Sequence, residues 1–272
     1  MEIKSKKFGI LGSGQMGEVI LSGLRDLGIP GQNIICTDIR EERLKELEDK
    51  YQVKTSLANS DGINGVDVVI LAVKPQMMDD VLVANSKLFT GDQTVITVAA
   101  GLKIDYYQAK IKENPAIVRV MPNTPSLVKV GASAVTIEAN GHDKGQKKEL
   151  VETIFNRIGN VYFIKEDLMD AVTGLSGSGP AYIFLMIQAL SDGGVREGLP
   201  REMATDLAIQ TILGSAKLAA ESDLHPAQLK EAVASPGGTT IAALRLLEKE
   251  GVRGSLMDAV HESSQRSREL GE

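Results

Sequence analysis

Short β-branched runs alternate with amphipathic stretches along the first 164 residues, at 8–11, 33–38, 67–73, 94–99, 116–121, 132–137 and 161–164. Strands separated in this way predict a sheet with crossover helices. The runs DVVILAV (67–73) and TVITVA (94–99) are apolar without alternation, which predicts central strands covered on both faces. After Lys165 the strand signature disappears, and helical patterns follow at 180–198, 201–222, 225–234, 240–250 and 254–270. The change of texture predicts two domains, an α/β domain over 1–164 and an all-α domain over 165–272. Within the first of these helices, 182–187 is apolar on every side, so it either threads a bundle or is covered by a second subunit.

Composition narrows the partners. A 272-residue chain that is 43% apolar can fill proper cores, and a formal net charge of −6 argues against nucleic acid or an anionic membrane as the main partner. A small metabolite is the expected ligand. The single cysteine, Cys36, lies inside an apolar run, which excludes an internal disulfide and predicts an inert, buried thiol suited to a reducing cytoplasm. The first residues lack a long apolar region and a small-residue cleavage site, and no stretch approaches the roughly 20 apolar residues of a membrane helix. The expected location is therefore cytoplasmic, with no membrane partner.

The segment FGILGSGQMG places Gly12, Gly14 and Gly17 in G-x-G-x-x-G spacing, directly after a strand and before a helix. That context predicts a dinucleotide site: one glycine for the tight turn, one for close approach of a pyrophosphate, one for helix packing. The α/β domain is accordingly read as Rossmann-type and doubly wound. Asp38, ending the second strand, stands where an acidic side chain accepts from the adenosine ribose, which favours NADH; Arg40 and Arg43 follow and either can face a 2′-phosphate or simply be solvated. NADPH or NADH is the expected cofactor, and the residues leave the choice open. Ligands of open parallel sheets lie beyond the carboxyl ends of the strands, so 72–75 and 99–101 should border the cofactor, with Lys74 either on ribose or phosphate or at the surface.

Other catalytic constellations are weak. His142, His225 and His261 are scattered, no H-x-x-x-H or C-x-x-C occurs, and no metal site is expected. A nicotinamide enzyme needs few side chains, since the cofactor carries the hydride. The stretch ASPGGTTIAAL (234–244) sits between two helical patterns: Ser235-Pro236 ends one, Gly237-Gly238 turn the chain, and Thr239 or Thr240 is the expected cap of the next. Free N–H groups at that helix start can receive a carboxylate. The alternative is a plain inter-helix turn.

Together SPGGTTIAALRLLE, LSGSGPAYIF, RVMPNTP, LAVKPQ and GILGSGQMG resemble pyrroline-5-carboxylate reductase, in that family's order, from Gly9 to about Leu270. The resemblance implies a Rossmann domain followed by an all-α dimerisation domain, and reduction of pyrroline-5-carboxylate to L-proline by NAD(P)H, the last step of proline biosynthesis. It implies a homodimer, with a higher homo-oligomer of dimers left open. By position, its cofactor contacts fall on Leu11, Gly12, Ser13, Gly14, Gln15, Met16, Asn59, Ala72, Val73, Lys74, Pro75 and Ala100. Its substrate carboxylate falls on the backbone around Ser235, Gly238 and Thr239, and the hydroxyl that orients the ring nitrogen falls on Thr240. One departure is Ala232, where the family often carries an amide. The competing readings are a β-hydroxyacid dehydrogenase-like enzyme, which resembles its relatives through a lysine that SGSGPAYIFLMIQAL lacks, and a non-catalytic dinucleotide sensor, which has no use for an anion pocket at 235–240.

Overall fold

The computed structural model describes residues 3–271. The chain divides into two compact units, one of the residues up to Gly177 with those from Ser263 onward, the other Ser178–Glu262.

The first unit is built on β1 (Phe8–Leu11), α1 (Gln15–Asp26), β2 (Ile34–Thr37), α2 (Glu41–Tyr51), β3 (Lys54–Ser56), β4 (Val68–Leu71), α3 (Pro75–Asn85), β5 (Thr94–Thr97), α4 (Ile104–Lys110), β6 (Ala116–Met121), β7 (Gly131–Glu138), α5 (Lys144–Phe155), β8 (Gly159–Phe163) and α6 (Met169–Val172). The strands form one sheet in the order β3-β2-β1-β4-β5-β6-β7-β8, parallel except where β6 meets β7. The Rossmann-type, doubly wound reading holds. All four residues of β4 are fully buried, Val68 and Ile70 in the core with α1 and α5, Val69 and Leu71 in the core with α3 and α4. A strand buried on both faces has no reason to alternate, which is why DVVILAV reads as continuous.

β3 departs from the sequence expectation, which placed no strand at 54–56. Lys-Thr-Ser carries no apolar signal because this is the sheet edge, where Lys54 is exposed and only β2 lies alongside. Polar edge residues also discourage pairing with another chain. Cys36 is fully buried, and burial pushes its thiol up to about 12, so it is inert as expected.

Arg119, in the middle of β6, interrupts an apolar strand yet is buried. Its Nη1 meets Glu166 Oε1 at 3.1 Å and its Nη2 lies 4.0 Å from Asp170 Oδ1. Glu166 Oε1 also accepts from the backbone N–H of Ile104 (2.8 Å) at the start of α4, and Asp170 Oδ1 accepts from Ser267 Oγ (2.7 Å). Charges removed from water persist only when paired and hydrogen-bonded. The node explains why 166–177 packs with the sheet although the last strand has already ended. Ser267→Ala is expected to lower stability by about 1.5 kcal/mol, the low end for a hydrogen bond to a charged group. The check is the urea midpoint, and an unchanged midpoint would remove Ser267 from the node.

A π-helical turn at Thr173–Gly177 precedes the second unit, whose helices are α7 (Gly179–Arg196), α8 (Arg201–Glu221), α9 (Pro226–Val233), α10 (Thr239–Lys249) and the first part of α11 (Val252–Leu270). Tyr182 donates from its hydroxyl to the carbonyl of Ala259 at 3.2 Å. One stretch of α7 is exposed in the single chain, with Phe184 65% and Leu185 67% accessible, while Ser191 further along is buried. No helix among the described residues is long and apolar enough to cross a membrane.

Candidate active site

The chain passes from β1 to β2 on one side and returns to β4 on the other, so the carboxyl ends of β1 and β4 diverge around a crevice, the usual ligand position in such sheets. A cavity of about 450 Å³ lies there, lined by Gly12, Gly14, Asp38, Ile39, Arg40, Asn59, Ala72, Val73, Lys74, Met77 and Val81. The turn after β1 makes it possible. Gly12 has φ +88°, and a Cβ there would stand 2.6 Å from the backbone nitrogen of Val73. Gly14 caps α1 with no side-chain hydrogen bond, and its missing Cβ would meet nothing within 4 Å. The turn therefore presents bare backbone and an uncapped helix start, the combination that accepts a pyrophosphate.

Asp38 closes the adjacent side. Its Oδ2 accepts from the N–H of Ser13 (3.1 Å), and its Oδ1 accepts from the backbone N–H (3.1 Å) and Nε (3.0 Å) of Arg40. Burial alone would raise its pKa; the Arg40 guanidinium and the two backbone donors outweigh that and hold the carboxyl below its ordinary value. Arg40 is largely exposed and lines the cavity, whereas Arg43 turns away into hydrogen bonds with Ser13, Glu18 and Glu46. Asn59 is oriented by Thr37, whose Oγ1 donates to Asn59 Oδ1 at 2.7 Å.

Of the sequence-selected cofactor residues, the cavity brings together Gly12, Gly14, Asp38, Asn59, Ala72, Val73 and Lys74. Leu11, Ser13, Gln15, Met16, Pro75 and Ala100 are not among its lining residues; Leu11 and Ser13 are buried beneath the turn, and Pro75 begins α3. Ile39, Met77 and Val81 were not anticipated. Ile39 carries a signal in retrospect, an apolar residue between two charged ones just past the end of β2, where it is 75% exposed.

In the second unit, α9 ends at Val233, Gly237 turns the chain with φ +67°, and α10 begins at Thr239. The expectation that a threonine caps α10 is corrected. Gly238 is the N-cap, in an extended conformation with no side-chain cap, because Thr239 is already helical. The N–H of Gly238 donates to the carbonyl of Ser235 (3.0 Å), and a Cβ on Gly238 would stand 2.3 Å from Ser235 Oγ. The first N–H groups of α10 thus keep a glycine at their head. His225 has a structural role as the N-cap of α9, its Nδ1 accepting from the N–H of Ala227 at 3.2 Å. No cluster of metal-ligating side chains occurs among the described residues.

A dinucleotide crevice at the switch point of a doubly wound sheet, followed by an all-helical unit with apolar faces, defines a nicotinamide-dependent oxidoreductase with a helical dimerisation domain. Comparison with known proteins agrees: residues 7–101 match the family model for NADP oxidoreductase, coenzyme F420-dependent, and 166–270 that for pyrroline-5-carboxylate reductase dimerisation. The chain is 42% identical to the pyrroline-5-carboxylate reductase of Methanosarcina acetivorans over 270 residues, covering 99% of both, and 44% identical to that of Synechocystis over 268 residues, covering 98% of this chain and 99% of the relative. Among solved structures, a pyrroline-5-carboxylate reductase from Coxiella burnetii matches with TM-score 0.89 and 35% identity, covering 98% and 99% of the two chains. A Plasmodium falciparum pyrroline carboxylate reductase with NADP bound matches with TM-score 0.89 and 32% identity, covering 99% of each. The chain belongs to the pyrroline-5-carboxylate reductase family and is an NAD(P)H-dependent enzyme.

Proposed function

We propose that the chain reduces 1-pyrroline-5-carboxylate to L-proline, with residues 1–164 holding the dinucleotide and 165–272 supplying the substrate site and the contacts of a cytoplasmic homodimer. The observation that carries the reading is the glycine-headed start of α10 beside two threonines, in a chain that also has the dinucleotide crevice. A carboxylate received at the N–H of Thr239, the N–H of Gly238 being held by the Ser235 carbonyl, gains about 1.5–3 kcal/mol per charged hydrogen bond. Ser235 bounds the same turn. Thr240 then orients the ring nitrogen, its hydroxyl being too weak an acid to serve as the main proton source at neutral pH.

In the crevice, the uncapped start of α1 and the backbone of Gly14, Gln15 and Met16 take the pyrophosphate, and Asp38 takes the adenosine ribose. Ile39 and Met77 offer an apolar bed for the adenine, while Asn59, Ala72, Val73 and Lys74 border the remainder. The cofactor, when bound, supplies a hydride for the imine carbon; the protonated imine nitrogen becomes the ring amine of proline. A dinucleotide sensor or a β-hydroxyacid dehydrogenase-like activity is not favoured. The test is steady-state oxidation of NADH and NADPH with pyrroline-5-carboxylate. Turnover is expected, whereas dinucleotide binding without turnover would favour the sensor.

Asp38 sets the balance between the two dinucleotides. Its carboxylate repels a 2′-phosphate, and its pairing with Arg40 keeps that guanidinium occupied. Wild type is expected to use NADH well, and Asp38→Ser to shift the ratio of kcat/KM values toward NADPH by several-fold. A strongly NADPH-selective wild type, or a ratio unmoved by Asp38→Ser, would transfer the role to Arg40. Assembly of dimers into a larger homo-oligomer is read from mass in solution.

A further inference from the structure

Ser13 lies between the two glycines at the head of the crevice and is only 1% exposed. Each of its polar groups is held from the β2 side. Its N–H donates to Asp38 Oδ2 (3.1 Å), its Oγ donates to the carbonyl of Thr37 (3.1 Å), and its own carbonyl accepts from Arg43 Nε (2.8 Å). The rest of the Arg43 guanidinium is committed elsewhere: Nη2 donates to Glu18 Oε2, and Nη1 donates to Glu46 Oε2 at 3.0 Å. Glu18, in the first turn of α1, also accepts at Oε1 from Lys50 Nζ (2.8 Å) and from the hydroxyl of Tyr51 (3.0 Å).

We propose that Arg43 is a positioning residue for the pyrophosphate loop, fixing the peptide plane between Ser13 and Gly14, and that it does not read a 2′-phosphate. The inference rests on the dinucleotide reading of the crevice. In a trans peptide the carbonyl and the following N–H point in opposite directions, so a Ser13 carbonyl drawn toward α2 directs the Gly14 N–H away from α2. Gly14 has no Cβ to resist rotation of that plane, and nothing lies within 4 Å of where one would be. The restraint has to come from the carbonyl side, and Arg43 supplies it. Two carboxylates answer the guanidinium charge, leaving little for a ligand phosphate. Although burial raises the Glu18 pKa, the hydrogen bonds from Arg43, Lys50 and Tyr51 bring it to about 2. The clamp is therefore charged throughout the neutral range.

The residues that read a dinucleotide's 2′ position and those that hold its pyrophosphate separate in kinetics. A loop held loosely weakens NADH and NADPH alike, and the loss of a 2′-phosphate contact weakens NADPH alone. Arg43→Met keeps the aliphatic stem and removes the donors. It is expected to raise KM and the dissociation constant of both dinucleotides by a common factor of roughly five to ten, less than the full worth of a charged hydrogen bond because the lost contact acts on the ligand only through the loop. The ratio between the two, kcat at saturating cofactor and the KM for pyrroline-5-carboxylate should remain near wild type. Arg43→Lys, which reaches Ser13 or Glu18 but not both, should fall between. The proposal fails if affinity for both dinucleotides is unchanged, or if only NADPH weakens. Should Arg43→Met not fold, Glu18→Gln takes its place: a parallel loss of both dinucleotides is expected, and a selective gain for NADPH would overturn the proposal. Titrating NADH fluorescence with wild-type protein separates the two levels, since a wild type that binds no dinucleotide refutes the crevice reading itself.

Discussion

Phe184→Glu is expected to give protein that does not assemble and is recovered insoluble or unfolded. The reason lies in α7, where 182–187 has no polar face, and in the single chain, which leaves Phe184 and Leu185 about two-thirds exposed. Leu207 and Leu213 on α8 are also exposed. Burying a side chain of this size contributes about 1.5–3 kcal/mol, and a two-fold interface counts each such residue twice. A glutamate in the same place loses that contribution and adds the cost of desolvating a charge without a partner. The expected result follows from the proposed homodimer, in which a second copy covers this face and the folded state depends on protomer concentration. Sedimentation and activity measured on the same dilute samples test it. A stable, active monomer would show that the helical unit does not need its twin.

What the sequence disclosed and what it hid divide along physical lines. β4 and β5 were legible because a strand buried on both faces writes a continuous apolar run. The helices of the second unit were legible for a related reason, each carrying punctuation at its ends, such as Pro226 at the start of α9 and Gly237 after it. β3 was not legible, since an edge strand of Lys-Thr-Ser is held by backbone pairing to β2 and leaves no pattern in its side chains. Arg119 stands in an apolar strand with nothing in the local pattern to say that it is buried and paired. Its partners, Glu166 and Asp170, come from a segment whose approach no local period announces. The same holds at the candidate site. Gly12, Gly14 and Asp38 were found by spacing along one strand-helix-strand unit, whereas choosing between Arg40 and Arg43 required knowing that Arg43 meets Ser13 and Glu18 across the fold.

The turn before α10 is where chemistry and sequence pattern meet most closely, and its two threonines separate the proposed roles. With Gly238 as the N-cap, neither hydroxyl is needed to cap α10, so the stability of both alanine variants should stay close to wild type. Thr239→Ala keeps the backbone N–H offered to the substrate carboxylate and is expected to change turnover little. In the proposed site, Thr240→Ala removes a hydrogen bond aimed at the ring nitrogen beside the carbon that receives hydride. A misoriented imine should then cost roughly tenfold or more in kcat, since about 1.4 kcal/mol of barrier corresponds to a decade in rate. Dinucleotide affinity should be the same in both variants, because the crevice is built from Gly12, Asp38, Val73 and their neighbours in the other unit. Measuring NAD(P)H binding, kcat and thermal midpoint for the pair distinguishes orientation from folding. If Thr240→Ala turns over like wild type, the hydroxyl does not act on the substrate and the Ser-Pro-Gly-Gly segment is a connection between helices. If Thr239→Ala shows the larger loss, the two roles are exchanged and the carboxylate lies one residue further along α10.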